Sequence, residues 1–183
     1  MFTDQRSKEV VFVSHCILNQ NTKLDACAHY PGTIKETAEV LIDADIGIIQ
    51  MPCPEFLYLG LDREVDDGTN PSVEAEDTRI AGRMTEEKSQ CLCKKIIDDI
   101  IYQMMEYRKY DFEIVGLVGI NGSPTCGVET TWYEGREHEG PGVFIKMLRA
   151  ELRQRKIDLK MVGIKAMDAK EAVFKIRKLL QID

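Results

Sequence analysis

Short apolar runs rich in valine and isoleucine, set far apart and separated by helical periodicity, constrain this 183-residue chain most. Val10-Val11-Phe12-Val13, Ile46-Gly47-Ile48-Ile49-Gln50-Met51 and Ile114-Val115-Gly116-Leu117-Val118-Gly119-Ile120 each have strand length. The reading places strands at about 10–14, 46–51, 112–120 and 159–164, and helices at about 33–43, 78–109, 142–155 and 169–180. Such alternation predicts an α/β chain with a mostly parallel sheet. Thr33 is the expected N-cap of the first helix, with Glu36 completing a capping box. Ile80, Met84, Cys91, Ile97, Ile101, Met104 and Met105 recur at helical spacing and predict one long helix. Two irregular stretches, 52–77 and 121–142, follow the second and third strands, and stretches this long usually carry function.

Cys16, Cys53 and Cys126 each follow one of the three runs. Parallel strands would bring them to one edge of the sheet, where open α/β folds build their sites. Three soft ligands with room for a fourth point to a catalytic metal centre. The plain alternative is three separate buried thiols, since free cysteine packs as a small hydrophobe. Cys91 and Cys93 are two apart on a helix, do not face each other, and are expected to pack against the sheet or lie at its margin. Cys27 is either a fourth ligand or a loop thiol.

Other residues near these cysteines carry two readings each. Glu55 is a solvated loop carboxylate or a general acid or base. Ser123 and Thr125 are turn formers or a proton relay and substrate contacts. His15 is a structural histidine or a ligand or shuttle. Trp132 and Tyr133 stack on a planar base or pack their loop. Gly140-Pro141-Gly142 opens a helix and is a weak phosphate signal. The acidic run 62–67 reads as a solvated face.

The net charge of −7 opposes binding of long nucleic acid. No apolar stretch reaches membrane-helix length, and the N-terminus lacks a signal-peptide core, so a cytoplasmic location is expected. Six cysteines there are expected to be reduced, metal-bound or reactive.

Three motifs, taken together, resemble the thiouracil desulfurase (TudS-type) family. They are Ser14-His15-Cys16, Cys53-Pro54-Glu55 and Ser123-Pro124-Thr125-Cys126-Gly127, within a resemblance covering about 9–165. Departures are Lys23-Leu24-Asp25-Ala26, which keeps only the aspartate of an Arg-Tyr-Asp-Gly-like stretch, the segment 56–63, and Thr125 in place of serine. The chain therefore resembles a divergent subgroup.

The resemblance implies a single-domain, Rossmann-like three-layer α/β fold over 9–183, with about four or more strands and a polar tail at 1–8. It implies a [4Fe–4S] cluster held by Cys16, Cys53 and Cys126, with one iron not ligated by protein and hence oxygen-sensitive. The expected activity is non-redox removal of sulfide from a small thiolated pyrimidine, with thiolated tRNA less favoured. Glu55 is the expected base, Ser123 a relay, and Ser14, Asp25 and Thr125 are expected substrate contacts. Three other readings stay open. Hydroxy-acid dehydration is disfavoured because only Arg63 and Arg136 lie in the strand-end loops. The others are a non-catalytic iron–sulfur carrier and a zinc-binding domain.

Overall fold

The computed structural model describes residues 2–66 and 68–182. Its strands and helices run β1 (Glu9–Ser14), α1 (His15–Leu18), α2 (Lys35–Asp43), β2 (Gly47–Met51), α3 (Pro54–Leu59), α4 (Val73–Arg83) and α5 (Glu87–Lys109). Then follow β3 (Glu113–Ile120), β4 (Thr130–Tyr133), β5 (Arg136–Glu139), α6 (Val143–Gln154), β6 (Met161–Ile164) and α7 (Ala169–Leu180). The main sheet has the order β2-β1-β3-β6, and all its pairings are parallel. Parallel neighbours need long crossovers, which the helices supply.

The strand order sets the layers. From β1 the chain steps outward to β2, then returns past β1 to β3 and on to β6. Right-handed crossovers in opposite directions place their helices on opposite faces. Accordingly α2 and α7 pack together on one face, and α5 and α6 on the other. Alternation along β1 serves both layers: Val11 and Val13 join the core under α2 and α7, and Phe12 joins the core under α5 and α6. This is a Rossmann-like α/β domain, with its topological switch between β1 and β3. No helix among the described residues is long and apolar enough to cross a membrane.

Four local expectations are corrected. The long helix is two helices, interrupted at Met84–Glu86. There the Thr85 hydroxyl donates to the Gly82 carbonyl and Gln90 Nε2 to the Met84 carbonyl, satisfying groups that would otherwise be orphaned. The apolar periodicity ran through the break because Ile80, Met84, Ile97, Ile101 and Met104 all reach the same core. Met105 and Cys91 instead are exposed, and Cys93 is fully buried. Thr33 does not cap α2: its hydroxyl donates to the Leu18 carbonyl, and the helix starts after Ile34 without a side-chain cap. The stretch 121–142 holds the antiparallel hairpin β4–β5, and 52–77 holds α3.

The tail is anchored over its described part. Phe2 meets Tyr110 and Phe112 edge-on, and the Arg6 guanidinium lies 4.1 Å from the Phe2 ring centre. Met1, Asp67 and Asp183 lie outside the described residues.

Candidate functional site

Each candidate cysteine is placed by the way its strand ends. Cys16 sits in α1, which begins directly after Ser14, the last residue of β1. Cys53 is the N-cap of α3, where Pro54 occupies a first-turn position that needs no amide proton. Its sulfur accepts from the Phe56 amide at 3.5 Å. Cys126 lies in a turn beyond β3, held by Ser123 Oγ accepting from the amides of Thr125 and Cys126 at 3.2 and 3.0 Å.

A single cleft of about 300 Å³ at the carboxyl edge is lined by Cys16, Cys53 and Cys126 together with Glu55 and Ser123. Cys27, Lys23, Arg63 and Asp77 line it as well, and Trp132 and Met167 stand on its wall. The edge is that of the topological switch, where α/β sheets leave a crevice.

Burial pushes all three thiols up, because a thiolate loses its hydration inside the protein. Cys53 is pushed up to about 12, by burial first and then by the charge of Glu55. Cys126 rises well above the ordinary 9.0, through burial and then through Cys53 and Glu55. Cys16 also rises with burial, opposed by the positive charges of Lys23 and Arg63. Burial therefore favours the neutral thiol at all three positions despite Lys23 and Arg63.

Glu55 and Ser123 meet across the cleft, 68 residues apart in sequence, with Ser123 Oγ donating to Glu55 Oε1 at 3.4 Å. This is longer than a tight hydroxyl–carboxylate bond, as is common before substrate binds. The other carboxylate oxygen, Oε2, faces Arg63 Nε at 3.5 Å.

The expected substrate contacts are placed differently. Ser14 and Thr125 are buried and do not line the cleft. Ser14 is the buried last residue of β1 and Thr125 a buried residue of the turn beyond β3, and both hydroxyls lack a hydrogen-bond partner. Asp25 lines a neighbouring groove, which shares Lys23, Leu24, Ala26 and Val73 with the cleft. His15 Nε2 is buried without a partner. Tyr133 is exposed and stacks on His138, while Trp132 Nε1 donates to Thr78 Oγ1 at 3.2 Å and ties the hairpin to α4. The helix opening at Gly142 holds no free phosphate nest: the amides of Val143 and Phe144 donate to the carbonyls of Pro124 and Thr125. That helix therefore buttresses the Cys126 turn.

Three cleft residues have no site role assigned from sequence. Arg63 is 1% exposed inside a run read as solvated, although Asp62, Glu64 and Asp66 around it are exposed. Its one sequence signal is a lone cation among acids. Asp77 lies within α4, before apolar periodicity marks that helix, and Lys23 lies in the loop after β1 with no motif of its own. Arg63 is engaged with Glu55 and Arg136 lies out on the hairpin, so neither arginine is available to a substrate carboxylate in the cleft.

Asp77 is pushed up to about 7 by burial and then by Glu55, with Lys23 opposing. A raised carboxyl contributes stability below its unfolded value near 3.8, and that contribution is lost as pH rises through 7. Asp77→Asn is therefore expected to stabilise the metal-free chain at pH 8 by about 1–2 kcal/mol, after allowance for partial solvent screening, and not at about pH 4. Urea unfolding at the two pH values checks this; no gain at pH 8 contradicts it.

Gly127 is where the turn is tightest. A methyl group there would meet the Thr130 carbonyl oxygen and come within 2.7 Å of the Ser123 carbonyl oxygen, both backbone. Gly127→Ala is expected to cost about 1–3 kcal/mol. Urea midpoints measure it, and an unchanged midpoint contradicts the packing described.

The donor set fits an iron–sulfur cluster. Three thiols from three strand ends are gathered in a largely buried cleft, and thiolate is the usual ligand of such clusters. Among the described residues no three His, Cys, Asp or Glu side chains close on a single ion. A cluster does not require that closure, because each cysteine binds a different iron.

Fold and site together define a Rossmann-like α/β protein with a three-cysteine cleft at its switch point. The chain is 37% identical over 123 residues to the uncharacterized protein MJ0003 of Methanocaldococcus jannaschii, a match spanning 67% of this chain and 70% of that protein. The chain belongs to the same family as that archaeal protein. No family model and no solved structure matches it.

Proposed function

We propose that this protein is a non-redox desulfidase that releases sulfide from a small thiolated pyrimidine. The observation that carries the reading is one cleft holding three half-buried thiols beside the Glu55–Ser123 pair. Cys16, Cys53 and Cys126 would hold a [4Fe–4S] cluster with one iron free of protein ligands. When bound, that cluster supplies a Lewis acid for the sulfur of a C=S group.

The protein residues handle water and protons. Glu55 takes a proton from the water that attacks the ring carbon bearing sulfur. Ser123, within reach of Glu55 Oε1, relays a proton toward the leaving sulfur. The C–O bond forms, the C–S bond breaks, and the products are a ring carbonyl and hydrogen sulfide. No electrons are gained or lost overall.

The cleft is at the small end of ligand pockets even before a cluster is placed in it, which favours a small substrate over a macromolecule. The net charge of −7 weighs against thiolated tRNA. A reduced thiol site fits the cytoplasm. A carrier has no use for the Glu55–Ser123 pair, and a zinc site would gather its ligands on one ion.

The test is anaerobic incubation of the reconstituted protein with 2- and 4-thiouracil and their nucleosides. Equimolar sulfide and carbonyl product without added reductant is expected, and loss of turnover on exposure to air. No sulfide from any of these, with the cluster intact, would overturn the reading.

A further inference from the structure

Arg63 is the most deeply buried charged side chain among the described residues, at 1% exposed. Its guanidinium is clamped on backbone. Nη1 donates to the carbonyls of Gly60 and Leu61 at 2.5 and 3.3 Å, and Nη2 to that of Thr22 at 2.6 Å. These acceptors are neutral. The one carboxylate paired with it among the described residues is Glu55, whose Oε2 lies 3.5 Å from Arg63 Nε. That nitrogen has no hydrogen-bond partner, so its contact with Glu55 is an ion pair without a formed hydrogen bond.

The backbone is bent to bring this about. Arg63 and Glu64 take φ of 60° and 56°, a left-handed pair of non-glycine residues. Such strain persists only where the surroundings enforce it, and it clusters at functional sites. Here Arg79 Nη2 donates to the Arg63 carbonyl at 2.6 Å, and Arg79 is itself paired with buried Glu76. An exposed acidic loop would need none of this to stay soluble.

We propose that Arg63 is the positioning residue of this site: anchored on three backbone carbonyls, its guanidinium holds one oxygen of Glu55 so that the other stays on Ser123 in the cleft. A guanidinium suits the task because its planar fork serves several acceptors at once and stays charged. Arg63 thereby ties the loop after β1, the end of α3 and the reacting carboxylate into one unit. The inference rests on the reading of Glu55 as the proton-handling group.

The experiment is a double-mutant cycle of Arg63→Met and Glu55→Gln, read both by sulfide release and by urea unfolding of the metal-free chain. Arg63→Met is expected to lower kcat about 100-fold, with KM changed by less than about threefold. Arg63→Lys recovers part of that loss. In the Glu55→Gln background Arg63→Met costs no further kcat. The urea midpoint falls in Arg63→Met and partly returns in the double variant, which no longer buries an unpaired carboxylate. Should Arg63→Met not fold, Arg63→Lys takes its place in the same cycle. Additive losses in both readouts would make Arg63 a loop pin and overturn the proposal. A parent that releases no sulfide would end the desulfidase reading, and the urea cycle would then decide the Arg63–Glu55 coupling alone.

Discussion

Glu55→Gln is expected to lower kcat by about a hundredfold to ten-thousandfold while the cluster content stays at the parent level. Glutamine matches the shape of the side chain, so α3 and the Cys53 cap have no reason to move. It cannot accept a proton from water, and it presents only one oxygen acceptor. Arg63 keeps its three carbonyl partners in that variant, which limits the structural cost. The loss corresponds to about 3–5 kcal/mol of transition-state stabilisation. Anaerobic sulfide release with iron counted in the same sample checks it. Full turnover in Glu55→Gln with iron intact would remove Glu55 from the chemistry.

Cys53 of the metal-free chain is expected to react about 50-fold more slowly with iodoacetamide at pH 7 than a free thiol of ordinary acidity. The thiolate is the nucleophile, and a shift from 9.0 to about 12 leaves about a thousandfold less of it. The greater intrinsic nucleophilicity of a more basic thiolate returns part of that factor. The sign follows from the raised value: below 9 the neutral thiol dominates in both states, and the rate climbs about tenfold per pH unit until about 12. Site-resolved mass spectrometry against exposed Cys91 provides the comparison. Rapid alkylation of Cys53 at neutral pH would instead describe an activated nucleophile, with Lys23 and Arg63 holding a thiolate. The two outcomes separate a metal-ligand site from a covalent one.

The sheet and the meeting of the three cysteines were legible because both follow from short-range patterns. Runs such as 114–120 announce buried strands, and parallel strands put their carboxyl ends on one side. The break at Met84–Glu86 was not legible, because Ile80, Met84 and Ile97 keep one apolar stripe on both sides of it. The hairpin β4–β5 was hidden because Arg136, Glu137 and Glu139 have exposed faces, and hydrophobic alternation cannot report an exposed strand.

At the site, side-chain depth was the missing information. Ser14 and Thr125 neighbour the candidate ligands in sequence, and neighbours on a strand or in a tight turn point elsewhere. Conversely, Arg63 and Asp77 reach the cleft from a loop and a helix whose composition is polar throughout. Their role depends on a backbone bent into the left-handed region at Arg63 and on a helix that starts at Val73, earlier than apolar periodicity indicated.

The measurement closest to the central claim is iron and acid-labile sulfide per chain after anaerobic reconstitution, in the parent and in Cys16→Ala, Cys53→Ala and Cys126→Ala. The account predicts about four of each in the parent and loss of the cluster in every variant. No cluster in the parent, one zinc per chain, or a cluster indifferent to any of the three cysteines would contradict it.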